Sequence, residues 1–301
     1  MVEAETWLVV NPAAGGGRAV RHAELAGHAL GAAGIPYRVV RPASAAIAQA
    51  SVREAVASGA RAVVACGGDG TVHTVIQELV GTGVPLGIVA GGSGDDIAMA
   101  LGFPHGDAAA GARHLAAALG SGQVRHVDAG LAEASDGARH HFAGVLSTGF
   151  DSAVNERANA MSRLGGQRYT VAMVRELASF RPVRYSLTID GELIEGEAML
   201  VAVGNGPSYG GGMRICPAAV PDDGQLDITW LSAVSKVTFL RLFPSVYKGE
   251  HVRQPYVRTY RGARLRISAA GQVAYADGER VGPLPVDVRL QPGALAVLGT
   301  A

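Results

Sequence analysis

Three glycine-rich stretches, each beginning where a strand-length apolar run ends, hold the residues that could do chemistry. They are Asn11-Pro12-Ala13-Ala14-Gly15-Gly16-Gly17-Arg18, Cys66-Gly67-Gly68-Asp69-Gly70-Thr71 and Gly91-Gly92-Ser93-Gly94-Asp95-Asp96. Glycine lets backbone N–H groups approach a phosphate closely, and a helix that starts directly after such a turn adds the positive end of its dipole. The first stretch alone could be a plain strand-to-helix turn. The second is more specific, because a cap at Asp69 needs less glycine than stands around it. A carboxylate beside phosphates points to organising Mg2+ rather than to direct contact with phosphate oxygen. Asp95 and Asp96 could hold a metal or polarise a water, or simply cap the next helix, where the dipole favours negative charge. The chain has no G-x-x-x-x-G-K-[ST], no G-x-G-x-x-G with a strand lysine and no dinucleotide fingerprint. Its only lysines are Lys236 and Lys248, so a lysine clamp in the first half is excluded. Neutralising phosphate charge would fall to Mg2+, backbone N–H groups and Arg18 or Arg41.

The elements that must position these residues change character along the chain. Through about residue 130, apolar runs at 6–10, 37–40, 62–66 and 85–89 alternate with Ala-rich helical patterns at 19–33, 44–58, 72–80 and 107–119. That alternation predicts a parallel sheet covered by helices, with the glycine turns at the carboxyl ends of the strands, where open sheets bind ligands. From about Val124 the runs alternate apolar and polar residues between turns, which predicts antiparallel strands. Asp190-Gly191 is a hairpin signal, and 166–179 reads as a helix. The expected fold is an α/β parallel-sheet domain over 1–127 followed by an antiparallel β-sandwich over 128–301, with the last residues free to return to the first domain.

Composition removes several classes of function. The 26 basic and 26 acidic residues cancel, so no whole-molecule field draws the chain to nucleic acid or to anionic lipid, and any membrane contact must be local. No apolar run approaches the roughly 20 residues of a spanning helix. The opening MVEAETW lacks the basic and apolar regions of a secretory signal and reads as a cytoplasmic start. Cys66 and Cys216 lie far apart and read as buried thiols.

Taken together, Asn-Pro-x-x-Gly, Gly-Gly-Asp-Gly-Thr and Gly-Ser-Gly-Asp-Asp-Ile-Ala, in this order, resemble the diacylglycerol kinase catalytic domain shared by bacterial lipid kinases and by sphingosine and ceramide kinases. The later half matches too, at Ser147 to Asp151, Tyr209 to Met213, Pro221 to Asp227 and Asp277-Gly278-Glu279. The resemblance covers nearly the whole chain. It implies an N-terminal domain like that of NAD and diacylglycerol kinases and a C-terminal β-sandwich carrying the general base and the acceptor cleft.

By this resemblance the ATP site comprises Asn11, Pro12, Ala13, Ala14 and Gly15, then Arg41, then Gly67, Gly68, Asp69, Gly70, Thr71, Val72, His73 and Thr74, and finally Gly92 and Ser93. Asp69, Asp96 and Asp128 would surround the catalytic Mg2+, partly through water. A structural Mg2+ maps to the Asp223 carboxylate with carbonyls of Val220 and Gln225, although a solvated Asp-Asp-Gly turn has the same sequence. Glu279 would be the general base, with Asp277 beside it; without the resemblance, Asp-Gly-Glu reads as an ordinary β-turn. The chain departs from the family in having Asp95 for the usual asparagine, Arg41 for a common threonine and Ser93 for threonine.

The expected activity is ATP- and Mg2+-dependent phosphorylation of the hydroxyl of diacylglycerol or a related lipid at a membrane surface. A soluble acceptor such as NAD, or non-catalytic nucleotide or lipid binding, are the alternatives. Without a basic amphipathic helix in the sequence pattern, membrane association is expected to be peripheral and transient. The oligomeric state stays open, a homodimer included.

Overall fold

The computed structural model describes residues 4–160, 175–176 and 179–299. The chain forms two compact units. The first holds the described residues up to Ala129, Pro221–Asp223 and those from Gln291 on; the second holds Gly130–Val220 and Gly224–Leu290.

In the first unit, β1 (Thr6–Val10), β2 (Tyr37–Val40), β3 (Ala62–Gly67) and β4 (Leu86–Ala90) pair in parallel in the order β2-β1-β3-β4. β1, β3 and β4 are buried along their whole length, and their sequences TWLVV, AVVACG and LGIVA are near-continuous apolar runs, as strands covered on both faces require. β2 is the exposed edge. Helices α1 (Arg18–Ala32), α2 (Ala45–Ala57), α3 (Asp69–Leu79), the single-turn α4 (Asp96–Ala100) and α5 (Ala108–Ser121) complete the unit up to residue 121. Leu8, Val10, Val64 and Cys66 point to one face of the sheet, where Ala23, Ala26 and Leu30 of α1 and Leu115 and Leu119 of α5 cover them. Ser44 caps α2 and Asp107 caps α5 through backbone N–H groups of the first turn. α3 begins three residues ahead of the expected start, because Gly68 is its N-cap and the Asp-Gly-Thr of the second glycine stretch is already helical.

β5 (Val124–Ala134) carries the chain into the second unit. There β6 (Arg139–Phe142), β7 (Val145–Gly149), β8 (Val183–Ile189), β9 (Glu192–Gly204), β10 (Leu226–Ser232), β11 (Val257–Gly262), β12 (Arg264–Ser268), β13 (Val273–Ala276) and β14 (Glu279–Pro283) pair only antiparallel. β15 (Val286–Leu298) starts beside β12 and ends in the first unit, where Val297 pairs in parallel with Leu86. This is the expected α/β sheet followed by a β-sandwich. Asp190 and Gly191, both at positive φ, make the β8–β9 turn as the dipeptide predicts. β9 shows the two-residue period directly: Val201 and Val203 enter one core with Trp230, while Leu200 and Ala202 enter another with Phe150 and Phe239.

Among the described residues, the second unit contains the helices α6 (Phe150–Ala160) and α7 (Lys236–Val246). The sequence pattern had not announced α7, since Val237, Thr238 and Pro244 are poor helix formers. Ser235 caps it and Phe239, Leu242 and Val246 bury one face. The helix expected over 166–179 falls largely outside the described residues.

Candidate active site

In the first unit the three glycine stretches leave the carboxyl ends of β1, β3 and β4 and lock together through backbone. Asn11 N–H donates to the Cys66 carbonyl (3.1 Å) and Gly91 N–H to the Gly67 carbonyl (2.9 Å). A Cβ on Gly92 would lie 2.6 Å from Gly68 Cα, and one on Gly15 would lie 2.0 Å from the Gly91 oxygen. Gly15 also holds φ +58°, so glycine is demanded twice over. Arg18 staples the first stretch to the third, Nε donating to the Gly15 carbonyl (3.0 Å) and Nη2 to the Gly92 carbonyl (2.7 Å). One turn further along α1, His22 Nδ1 meets the Ala90 carbonyl at 2.7 Å.

The acidic residues stand at helix starts. Asp69 opens α3 and accepts from Ile97 N–H (2.9 Å), tying the second stretch to α4. Burial, then the charges of Asp96 and Asp95, push its carboxyl up to about 6, against the pull of backbone N–H groups. Asp96 opens α4 and is buried. Asp95 is the N-cap of α4 in the left-handed region, and its Oδ1 accepts from Gly92 N–H (2.9 Å). Burial raises its carboxyl, while that N–H and the charges of Arg18, His105 and His22 draw it down.

Other expected nucleotide contacts fall around this cradle. Pro12 and Ala13 are exposed, Ala13 N–H bonding Asn11 Oδ1 (3.1 Å), and Ala14 N–H bonds the Asn11 carbonyl. Gly70 and Thr74 share a hydrogen bond of 2.8 Å along α3, Val72 and His73 are buried in it, and Gln77 bonds the His73 carbonyl. Thr71 Oγ1 is buried with no hydrogen-bond partner. Ser93 is exposed at the tip of the third stretch, and Arg41 is exposed after β2. Arg18 was expected as a cation for phosphate, whereas His22 and His105 were absent from the expected set; the four-residue spacing of Arg18 and His22 on one helix face was the available signal for His22.

Among the described residues, no three or more His, Cys, Asp or Glu side chains gather at metal-binding distances. Asp128, buried, accepts from Gly293 N–H (2.8 Å), joining β5 to β15. Val220 and Gln225 belong to the second unit and Asp223 to the first.

Within the second unit, Asp277 and Gly278, both at positive φ, turn β13 into β14, whose first residue is the exposed Glu279. The Asp277 carboxylate accepts three backbone N–H groups, from Ala143 (3.1 Å), Gly144 (2.9 Å) and Val145 (3.1 Å). Those bonds commit Asp277 to anchoring the turn that presents Glu279. Beside it, Arg280 Nε donates to Glu156 Oε1 (2.8 Å), which also accepts from Tyr275 (2.7 Å). Glu156 lines an open cavity of about 600 Å³, where the charged side chains of Arg157, Glu176 and Arg181 stand beside Phe180, Val183 and Val273. Deeper in the same unit, Asp151 accepts a hydrogen bond from Tyr209.

Comparison with known proteins matches two segments of the chain. Residues 5–132 match the diacylglycerol kinase catalytic domain, and residues 144–299 match the YegS C-terminal NAD kinase beta sandwich-like domain. A protein of Mycobacterium tuberculosis named diacylglycerol kinase is 39% identical over 292 residues, 96% of this chain and 93% of its own. A Stenotrophomonas maltophilia protein named "probable lipid kinase YegS-like" is 27% identical over 270 residues, 84% of this chain and 85% of its own. A crystal structure from Bacillus anthracis str. Sterne superposes with a TM-score of 0.79 at 25% identity, covering 98% of this chain and 95% of that one.

Proposed function

This chain belongs to the diacylglycerol kinase family, a family of phosphotransferases that take phosphate from ATP, and we propose that it is a Mg2+-dependent lipid kinase acting on the hydroxyl of diacylglycerol or a closely related lipid alcohol. The observation that carries the reading is the backbone-locked cradle of three glycine stretches, with Asp69, Asp95 and Asp96 at the helix starts beside it. The residues suit MgATP. Gly15, Gly67, Gly68 and Gly92 let the stretches close on one another, Gly16 and Gly17 have open space where a Cβ would sit, Thr71 offers an orphaned buried hydroxyl, and burial with the nearby Asp96 and Asp95 charges raises the Asp69 carboxyl.

When bound, Mg2+ would neutralise charge developing on the transferred phosphoryl group. Asp69 and Asp96 would hold it, in part through water. The glycine N–H groups and the N-termini of α1 and α3 would orient the phosphates. Glu279 would take the proton from the attacking hydroxyl, held in place by the Asp277 anchor.

The test is γ-labelled ATP with the purified protein, Mg2+ and a mixed lipid extract, run beside Glu279→Ala. A labelled, chloroform-soluble product from the intact protein alone supports the reading and identifies the acceptor. Label on NAD or another soluble alcohol, with none in lipid, would overturn it.

A further inference from the structure

The helix α7 carries one buried face and one exposed face that, among the described residues, nothing in the unit covers. Phe239, Leu242 and Val246 enter the core, whereas Val237, Leu240 and Tyr247 are 57%, 56% and 48% exposed. With Pro244, also exposed, these residues stand at i, i+3, i+7 and i+10, a single stripe along the solvent side. Half-buried Phe243 packs edge-on to Tyr247, with ring centroids 6.0 Å apart.

The stripe is framed by cations. Lys236, Arg241 and Lys248 are exposed, and no Asp or Glu occurs from Ala233 to Gly249. In a chain whose formal charges cancel, this segment is locally +3, and both lysines of the protein lie in it. Helix stability does not explain the placement: Lys236 occupies the first turn, where the dipole favours an acid, and no acid is there.

We infer that the solvent face of α7 is the surface by which this protein adsorbs to an anionic lipid bilayer. An apolar stripe flanked by long cationic side chains is what an interfacial helix requires: the stripe enters the headgroup boundary while lysine stems reach back to the lipid phosphates. Tyrosine suits the same depth. A second copy of this face is disfavoured as the occupant, because an isologous contact would set +3 against +3. The inference rests on the reading that the acceptor resides in a membrane.

The test is co-sedimentation of the purified protein with vesicles of phosphatidylcholine alone and of phosphatidylcholine mixed with phosphatidylglycerol. The wild type, Lys236→Gln/Arg241→Gln/Lys248→Gln and Val237→Ser/Leu240→Ser are compared, all substituted positions being exposed. The wild type is expected on the mixed vesicles. The triple variant should lose about five-fold in partition per charge removed, roughly 10²-fold in all, and the serine variant should also lose binding to the mixed vesicles. Partition that is unchanged in the variants, or insensitive to phosphatidylglycerol, would overturn the inference. So would a wild-type dimer that both variants abolish. Turnover of a short-chain diacylglycerol in neutral detergent micelles separates the two readings. All three proteins should be equally active there, and a wild type inactive in micelles counts against the kinase assignment, while vesicle partition judges the docking surface on its own.

Discussion

Replacing Asp151 by asparagine should change how the stability of the second unit depends on pH. Burial pushes the Asp151 carboxyl up to about 6 from an ordinary 3.8, with the Tyr209 hydroxyl pulling the other way. A group whose pKa is higher folded than unfolded binds more protons in the folded state between those values. Stability from it is therefore greatest below about pH 4 and falls until about pH 6. The full difference corresponds to about 3 kcal/mol. The residue keeps part of its surface in solvent although its carboxyl lies deep, so we expect about 2 kcal/mol. Asparagine keeps an oxygen for Tyr209 and carries no charge. The difference in unfolding free energy, Asp151→Asn minus wild type, should thus rise by about 2 kcal/mol between pH 4 and pH 7, whatever its absolute value. The assay is urea unfolding followed by Trp230 fluorescence in a Trp7→Phe background, since Trp230 lies in the core of the second unit and Trp7 in the first. A difference that stays flat over this range would refute the argument from burial.

Gly15→Ala should destabilise the first unit by at least about 1 to 2 kcal/mol for the left-handed backbone alone, and raise KM for ATP by more than about ten-fold, because its Cβ would displace the Gly91 carbonyl; thermal unfolding and initial rates check both. Asp95→Asn should keep the left-handed cap and the Gly92 bond while removing one negative charge near the triphosphate. KM for ATP should then fall about five-fold, for a repulsion on the order of 1 kcal/mol, and an unchanged or higher KM would count against it. Asp277→Ala strands three backbone N–H groups. It should cost about 1 to 3 kcal/mol for the first unpaired group alone and lower kcat more than it raises KM for ATP, as calorimetry and steady-state kinetics would show.

Local periodicity made much of the fold legible. The runs TWLVV, AVVACG and LGIVA announce central parallel strands because both of their faces are buried, and Asp190-Gly191 announces its hairpin because few other residues accept positive φ twice. α7 stayed hidden because its helicity comes from packing Phe239, Leu242 and Val246 into a core, against the local preference of Val237, Thr238 and Pro244. The glycine stretches were each visible, but their interlocking was not. It depends on contacts such as Arg18 with Gly92, 74 residues apart, and Asp69 with Ile97, 28 apart. Side chains that bond distant backbone leave no repeat in the sequence.

The same contacts narrow the ways in which triphosphate charge can be met. The sequence offered two cations, Arg18 and Arg41. Arg18 directs two donors at the Gly15 and Gly92 carbonyls and lies close enough to Asp95 to lower its carboxyl, so its charge already answers the aspartate that replaces the family's asparagine. His22 and His105 act on Asp95 in the same sense. The substitution is thus compensated locally, and the arginine that compensates it is held as a staple rather than left as a clamp. Arg41 stands exposed at the end of an edge strand. With no lysine in the unit, a triphosphate bound as proposed would be met by backbone N–H groups, helix N-termini and a divalent ion held by Asp69 and Asp96, and nucleotide binding should then depend most steeply on that ion.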